Sequence, residues 1–254
     1  MSRPISVQLY SLREECQQDF PAVIKRLGEI GYIGVEPFSL LNYEASEVKS
    51  MLDDAGLVTS SAHVNLIREA DVEAALDAQA ELGNTNIIVP MVPPNVFEDH
   101  DAIQAVADEM NAANEKVRVY GMTLGYHNHW WEFQNKIDGR TGYDHLFDLM
   151  APEIFSELDV YWAQTGGADP IEVIKNLADR CRFLHVKDGP CDDPASDHVA
   201  VGDGIVDIAG ILGAADAAEW HVVELDRCGT DMFTAVQGSH AFLVGEGLSE
   251  GKGA

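Results

Sequence analysis

Short apolar runs alternate along the chain with longer stretches in which apolar positions recur every three or four residues. The short runs read as strands buried in a sheet, and the longer ones as helices with one apolar face. Ile5-Ser-Val-Gln-Leu-Tyr10 is the first strand. A helix from Asp19 to Ile30 follows, with Asp19 as N-cap, Pro21 in the first turn and Val23, Leu27 and Ile30 on one face. Gly31 stops it. The pattern then repeats, with a strand from Ile33 to Phe38 and a helix from Glu44 to Ala55, a strand from Leu57 to Val64 and a helix from Glu69 to Leu82. Next come a strand from Asn86 to Pro90 with a helix from His100 to Tyr120, and a strand entered at Met122 with a helix from Gly142 to Met150. The last three pairs are Ile154–Asp159 with Pro170–Asp179, Arg182–Lys187 with Val206–Ala215, and Trp220–Leu225 with Asp231–Leu248. Gly251-Lys-Gly-Ala254 reads as a frayed tail.

Eight strand–helix units imply a parallel sheet, and eight fit a closed (β/α)8 TIM barrel of the α/β class, one domain over residues 1–254. An open doubly wound sheet is the alternative. It is weakened because no G-x-G-x-x-G or G-x-x-x-x-G-K-[ST] follows any strand. No low-complexity linker divides the chain. The long loop from Asp188 to Gly204, rich in Asp, Pro and Gly, is expected to form a lid over the site.

Charge narrows the partners. With 43 acidic residues against 16 Lys and Arg, the net charge is −27. A surface this negative repels phosphate backbones and anionic membranes, so nucleic acid is discounted as a substrate. The acids are spread over helical stretches (Asp53, Asp54, Glu69, Asp71, Glu73, Asp77), which suits solubility or a salty cytoplasm. No apolar run approaches the roughly 18 residues of a membrane span. The sequence enters its first strand almost at once, leaving no room for a signal peptide, so a cytoplasmic protein is expected. Cys16, Cys181, Cys191 and Cys228 show neither C-x-x-C nor zinc-finger spacing and read as reduced thiols.

The chemistry concentrates at strand ends. Leu124-Gly-Tyr-His-Asn-His-Trp-Trp-Glu-Phe133 delivers two histidines, an asparagine, two tryptophans and a glutamate at the end of an apolar strand. Polar groups that dense cost desolvation energy unless paired or bound to something. His127 and His129 as satisfied core histidines are the plain alternative. Other strands end the same way, however: Glu36 on the second, His63 on the third, Asp159 on the sixth, His185, Lys187 and Asp188 on the seventh, and Glu224 and Asp226 on the eighth. In a barrel this is where an active site is built. Carboxylates and an imidazole converging from different strands are what a divalent metal needs, and this oxygen-rich, thiolate-free set suits Mn2+, with Mg2+, Co2+ or Zn2+ as alternatives.

At these residues the chain resembles the sugar phosphate isomerase/epimerase superfamily, the xylose isomerase-like TIM barrels. The resemblance runs through Gln8-Leu-Tyr-Ser-Leu-Arg13, Gly31-Tyr-Ile-Gly-Val-Glu36, Ser61-Ala-His63, Tyr126-His-Asn-His129 with Glu132-Phe133, Leu158-Asp-Val-Tyr-Trp162, His185-Val-Lys-Asp188 and Val222-Val-Glu224. It also covers the closing segment from Asp231 through Ser239 to Leu248. It implies one divalent metal held by a strand-five carboxylate, Asp159, His185 and Glu224. On strand five the pattern departs, because His127 stands where related epimerases carry glutamate; Glu132 is the favoured ligand and His127 the other candidate.

The implied reaction is proton abstraction next to the carbonyl of a sugar or keto-sugar, through an enediolate. Glu224 and Glu132 are the expected acid–base pair, with Lys187 stabilising negative charge or acting as an acid. Glu36, His63, His127, His129 and Trp162 are the expected substrate-binding residues, and Trp130 and Trp131 shield the pocket. A dehydratase or lyase on a keto-inositol or keto-glycoside is the nearest rival, since it shares the enolate step. Few cations beyond Lys187 and Arg227 argue against a phosphorylated substrate. The superfamily's zinc-dependent DNA-repair endonucleases fit poorly with net charge −27. A non-catalytic sugar-binding barrel is the third reading. The partner implied is a small carbohydrate or polyol ketone, and a homo-oligomer is expected.

Overall fold

The apolar runs pair side by side in chain order, each parallel to its neighbours. The structure, a computed structural model, describes residues 2–253. Seven barrel strands are continuous: β1 (Arg3–Gln8), β2 (Gly34–Glu36), β4 (Asn86–Val89), β5 (Thr123–His127), β6 (Phe155–Asp159), β7 (Cys181–Val186) and β8 (Trp220–Val223). The remaining one, β3, is in two pieces, Val58–Thr59 and Ala62–His63, so the sheet runs through nine segments. β8 returns to β1, with Ile5 opposite His221 and Val7 opposite Val223. The first piece of β3 pairs with β2 and the second with β4. The chain itself closes the cylinder at Ser60-Ser61, where Ser60 N–H donates to Val35 O at 3.0 Å and Asn86 Nδ2 donates to Ser60 O at 2.9 Å.

Period-two alternation sorts the side chains into two cores. Outward residues such as Val7, Leu124, Leu158, Leu184 and Val223 pack against the helices. Inward residues form a separate small cluster of Ile88, Phe155, Phe183 and Val222, against which Trp220 packs. Gly125 is needed here, because a Cβ at that position would meet the Phe155 ring at 2.5 Å. Further toward the C-terminal ends, the inward positions of every barrel strand except β4 turn polar: Gln8, Glu36, His63, His127, Glu157, His185 and Glu224. In the usual barrel the interior is filled by layers of branched apolar residues. Here the layer nearest the C-terminal strand ends is a buried polar one.

The helices fall where the periodicity predicts, with local differences. The first runs from Arg13 to Ile30, six residues longer than expected, but it breaks at Asp19 (φ −155°, ψ 83°), whose Oδ1 caps the second half by accepting from Ala22 N at 3.0 Å. Lys136–Ile137 and Arg140–Thr141 make an unexpected hairpin, turned at Asp138 and Gly139, both at positive φ. The tail is not frayed: Ser249–Glu250 pairs with β1, and Lys252 bonds to Gly31 O and Ala55 O at 2.8 Å each. Ala254, the last residue of that expected tail, lies outside the described residues.

The Asp188–Gly204 loop differs from a free lid. The buried Asp188 carboxylate accepts backbone N–H groups of Gly189 (2.8 Å), Gly202 (3.0 Å), Gly204 (3.1 Å) and Val206 (3.1 Å). Asp188, read from sequence as a strand-end site residue, is thus the anchor of its own loop. No described helix is long and apolar enough to cross a membrane.

Candidate active site

Asp159 ends β6, and its two oxygens divide their work. Oδ1 accepts Trp162 N–H at 2.8 Å and caps the short helix Val160–Thr165. Oδ2 makes no aligned hydrogen bond and lies 2.8 Å from Lys187 Nζ. Asn128, on the segment after β5, clamps this end by accepting Asp159 N–H at 2.9 Å and donating to Asp159 O at 3.2 Å. On β7, His185 Nδ1 lies 2.9 Å from Glu224 Oε2, while its Nε2 lies 2.7 Å from Glu36 Oε1. Lys187 reaches Asp159, Glu224 (2.9 Å) and Asp226, with its ammonium 4.9 Å from the centre of the Trp162 ring.

Ligand atoms of His127, Asp159, His185 and Glu224 all lie within 4.8 Å of one another, and all four residues are buried. They come from the ends of β5, β6, β7 and β8, the four successive strands expected to supply a metal site. Glu132 is not among them. The helical turn Trp131–Gln134 carries it behind the strand wall, where Tyr126 OH donates to it at 2.7 Å and His129 N–H at 3.0 Å. Tyr126 faces outward from β5 and His127 inward, so alternation turns His127, and not Glu132, toward this cluster.

Two other expectations change. Glu36, expected to bind substrate, is fully buried one layer down, accepting from Gln8 Nε2 at 2.6 Å and from Ser61 Oγ. His63 sits between Glu157 (2.7 Å) and Glu36 (3.2 Å), with its edge on a cavity of about 250 Å3 lined by Phe38, Ser39, Leu40 and Asn65. Trp162 is buried behind Lys187 and packs against Trp130 and His198. His129 stacks on Trp131 with ring centres 4.3 Å apart, and the partly exposed Trp130 and Trp131 lie beside the site. Glu157 was missed. It precedes Asp159 by two residues on the same strand, and that spacing is a signal the sequence carries.

The electrostatics suit a cation. Burial opposes the charge on Glu224, but Lys187 and His185 hold its carboxyl well below the ordinary range. Burial raises Asp159 to about 6 despite Lys187. Burial, with His185 beside it, lowers His127 to about 4, leaving a neutral imidazole, the form that binds metals. Burial works against the His185 imidazolium, yet Glu157, Glu224 and Glu36 outweigh it and raise its pKa well above the usual value. Two carboxylates and two imidazoles, the neutral His127 and a His185 that would give up its proton on binding, fit a divalent ion.

Comparison with known proteins bears on this geometry. A sequence profile of the family described as xylose isomerase-like TIM barrel matches residues 24–228. A crystal structure of a sugar phosphate isomerase/epimerase from Parabacteroides distasonis superposes with a TM-score of 0.82 at 27% identity, covering 98% of this chain and 96% of that one. Inosose dehydratase of Geobacillus kaustophilus is 23% identical over 190 residues, 65% of this chain; the match spans 61% of that relative, under two thirds of its length. The structure of IOLI protein with a bound zinc atom shares the fold at 14% identity, with a TM-score of 0.71 and coverage of 96% and 97%.

Proposed function

The chain belongs to the xylose isomerase-like TIM barrel family, and on that footing we propose that it is a divalent-metal-dependent isomerase or epimerase of a sugar or keto-sugar. The observation that carries this is the convergence of His127, Asp159, His185 and Glu224 from four successive strand ends, with Asp159 Oδ2 free of aligned hydrogen bonds. These four would hold the ion. With two imidazoles in place of the expected one, the donor set moves from Mn2+ and Mg2+ toward Zn2+ and Co2+. IOLI protein, a fold relative, carries zinc.

When bound, the ion supplies charge that polarises a substrate carbonyl and stabilises the enediolate. The chain's own groups move the protons. Glu224, kept ionised by Lys187 and His185, takes the proton next to the carbonyl. Lys187, whose ammonium is held well above its ordinary pKa by Asp159, Asp226 and Glu224 against the effect of burial, stabilises charge on the substrate oxygen. Glu132 is withdrawn, so the second partner is His129, whose neutral ring is fixed against Trp131. The acid–base pair is therefore Glu–His and not Glu–Glu.

That substitution favours a second reading, a dehydratase or lyase. Elimination needs one base and one acid for the departing hydroxyl, and Glu224 with Lys187 supplies both without a second carboxylate. The named activity of the Geobacillus relative is of this kind. Incubating the metal-loaded protein with candidate ketoses and keto-inositols in D2O, with products read by NMR, separates the two. Deuterium next to a retained carbonyl, with isomer formation, supports the first; loss of water to an enone supports the second. Absence of both with every ketone would end the enzyme reading.

A further inference from the structure

Below the four proposed ligands lies a layer that no substrate reaches. Glu36, Glu157 and His185 have no exposed surface, and His127 has 2%. His185 points one ring nitrogen at Glu224 and the other down into this layer, and His127 turns Nδ1 toward the layer. For His185, Nδ1 faces Glu224 Oε2 at 2.9 Å, and Nε2 faces Glu36 Oε1 at 2.7 Å and Glu157 Oε2 at 3.1 Å. For His127, Nδ1 lies 3.3 Å from Glu157 Oε2 without an aligned hydrogen bond, and a proton shared along that contact would leave Nε2 for the ion.

We propose that Glu36 and Glu157 are positioning residues that set which nitrogen each histidine presents to the ion: Nδ1 of His185 and Nε2 of His127. A ring nitrogen that carries a proton for a carboxylate has no lone pair for a metal, so the carboxylate fixes the tautomer and the ring plane together. Glu36 is itself held, since Gln8 Nε2 donates to it at 2.6 Å and Ser61 Oγ occupies its other oxygen. Its Oε1 is thereby kept beside His185 Nε2, with His63 Nε2 3.2 Å away. Glu157 Oε2 is shared among His63 (2.7 Å), His185 and His127, so it ties the two ligand rings to a common point.

The lower group, His63, His127, Glu157 and His185, also presents ligand atoms within 4.8 Å of one another. It is not a second ion site on this reading. It shares both histidines, His127 and His185, with the upper group. Filling both would strip each ring of its last proton. One ion per chain follows.

This inference rests on the metal site proposed above, and the experiment separates the two. Zn2+ content and affinity, by chelator competition, are measured for the wild type, Glu36→Gln and Glu157→Gln. The wild type, 15N-labelled at histidine and loaded with Zn2+, gives the tautomers by NMR without any variant. Expected are one Zn2+ per wild-type chain, a proton on His185 Nε2 and on His127 Nδ1, and affinity weakened about 10–100-fold in each variant. The melting temperature of the metal-free variants reports folding separately. A wild type that binds no ion overturns the metal site itself. One ion bound with the reverse tautomers, or with affinity unchanged in both variants, overturns only the positioning role. Two ions per wild-type chain would overturn it in favour of a dinuclear centre.

Discussion

Lys187→Met is predicted to damage the metal-free protein far more than the metal-loaded one. Lys187 is fully buried and its ammonium touches Asp159, Glu224 and Asp226, of which the first two are also proposed ligands. Methionine keeps the volume and removes the only buried ammonium in this group. Breaking a buried ion pair by removing one partner costs about 3–5 kcal/mol, because the remaining charge is left uncompensated. At about 2–4 °C per kcal/mol for a chain of this size, the metal-free variant should melt about 6–20 °C below the wild type. A divalent ion on Asp159 and Glu224 takes over the compensation, so saturating Zn2+ should recover most of that loss. The ion should also bind more tightly, since a neighbouring positive charge has been removed. Differential scanning calorimetry with and without Zn2+, together with chelator competition, reads both effects. Equal loss of stability with and without the ion, or weaker metal binding in the variant, would refute the shared-carboxylate account.

Further outcomes follow from other parts of the site. Burial raises Glu132 to about 8, against the hydrogen bonds that favour its ionised form, that of Tyr126 first. The folded chain therefore holds a proton that the unfolded chain releases above its lower pKa; the associated stability is full in acid and fades as pH rises toward about 8. Glu132→Gln should flatten this decline, which amounts to at most about 1.4 kcal/mol per pH unit, and urea melts of both metal-free proteins between pH 5 and 8 test it. Asp188→Ala leaves four backbone N–H groups of the 188–206 loop without their acceptor. Amide exchange at Gly202, Gly204 and Val206 should quicken by at least about tenfold, or the loop is held by something else. Asn128→Ala removes the clamp on Asp159. It should weaken Zn2+ binding about tenfold with a smaller effect on melting, and unchanged affinity would show that β6 places its carboxylate unaided.

The barrel was legible because alternation of apolar runs and helical periodicity survives in every unit, with Gly31, Gly56, Gly83 and Gly121 marking four helix ends, each at positive φ. That Asp159, His185 and Glu224 come together was legible for a related reason: each is a polar residue at the end of an apolar strand, and all face the barrel axis. The direction of Glu132 was not legible, because sequence shows residue type before direction. Only the helical turn at Trp131–Gln134 reveals that the carboxylate leaves the axis and meets Tyr126 OH behind the strand. Glu36 misled differently. It does face inward, but its carboxylate is taken up by Gln8, Ser61 and His185, so it joins the supporting layer. Glu157 was within reach, because an inward Asp159 makes the residue two before it inward too. The pinned loop was not, since its order depends on one carboxylate gathering N–H groups up to 18 residues away.

The central claim is that His127 has taken the place of a strand-five carboxylate in a four-ligand metal site. Metal content per chain after purification and a Zn2+ soak, compared among the wild type, His127→Ala and Glu132→Gln, tests it most directly. One ion in the wild type and in Glu132→Gln, with loss or marked weakening in His127→Ala, is the predicted result. Retention of the ion in His127→Ala with its loss in Glu132→Gln would contradict it.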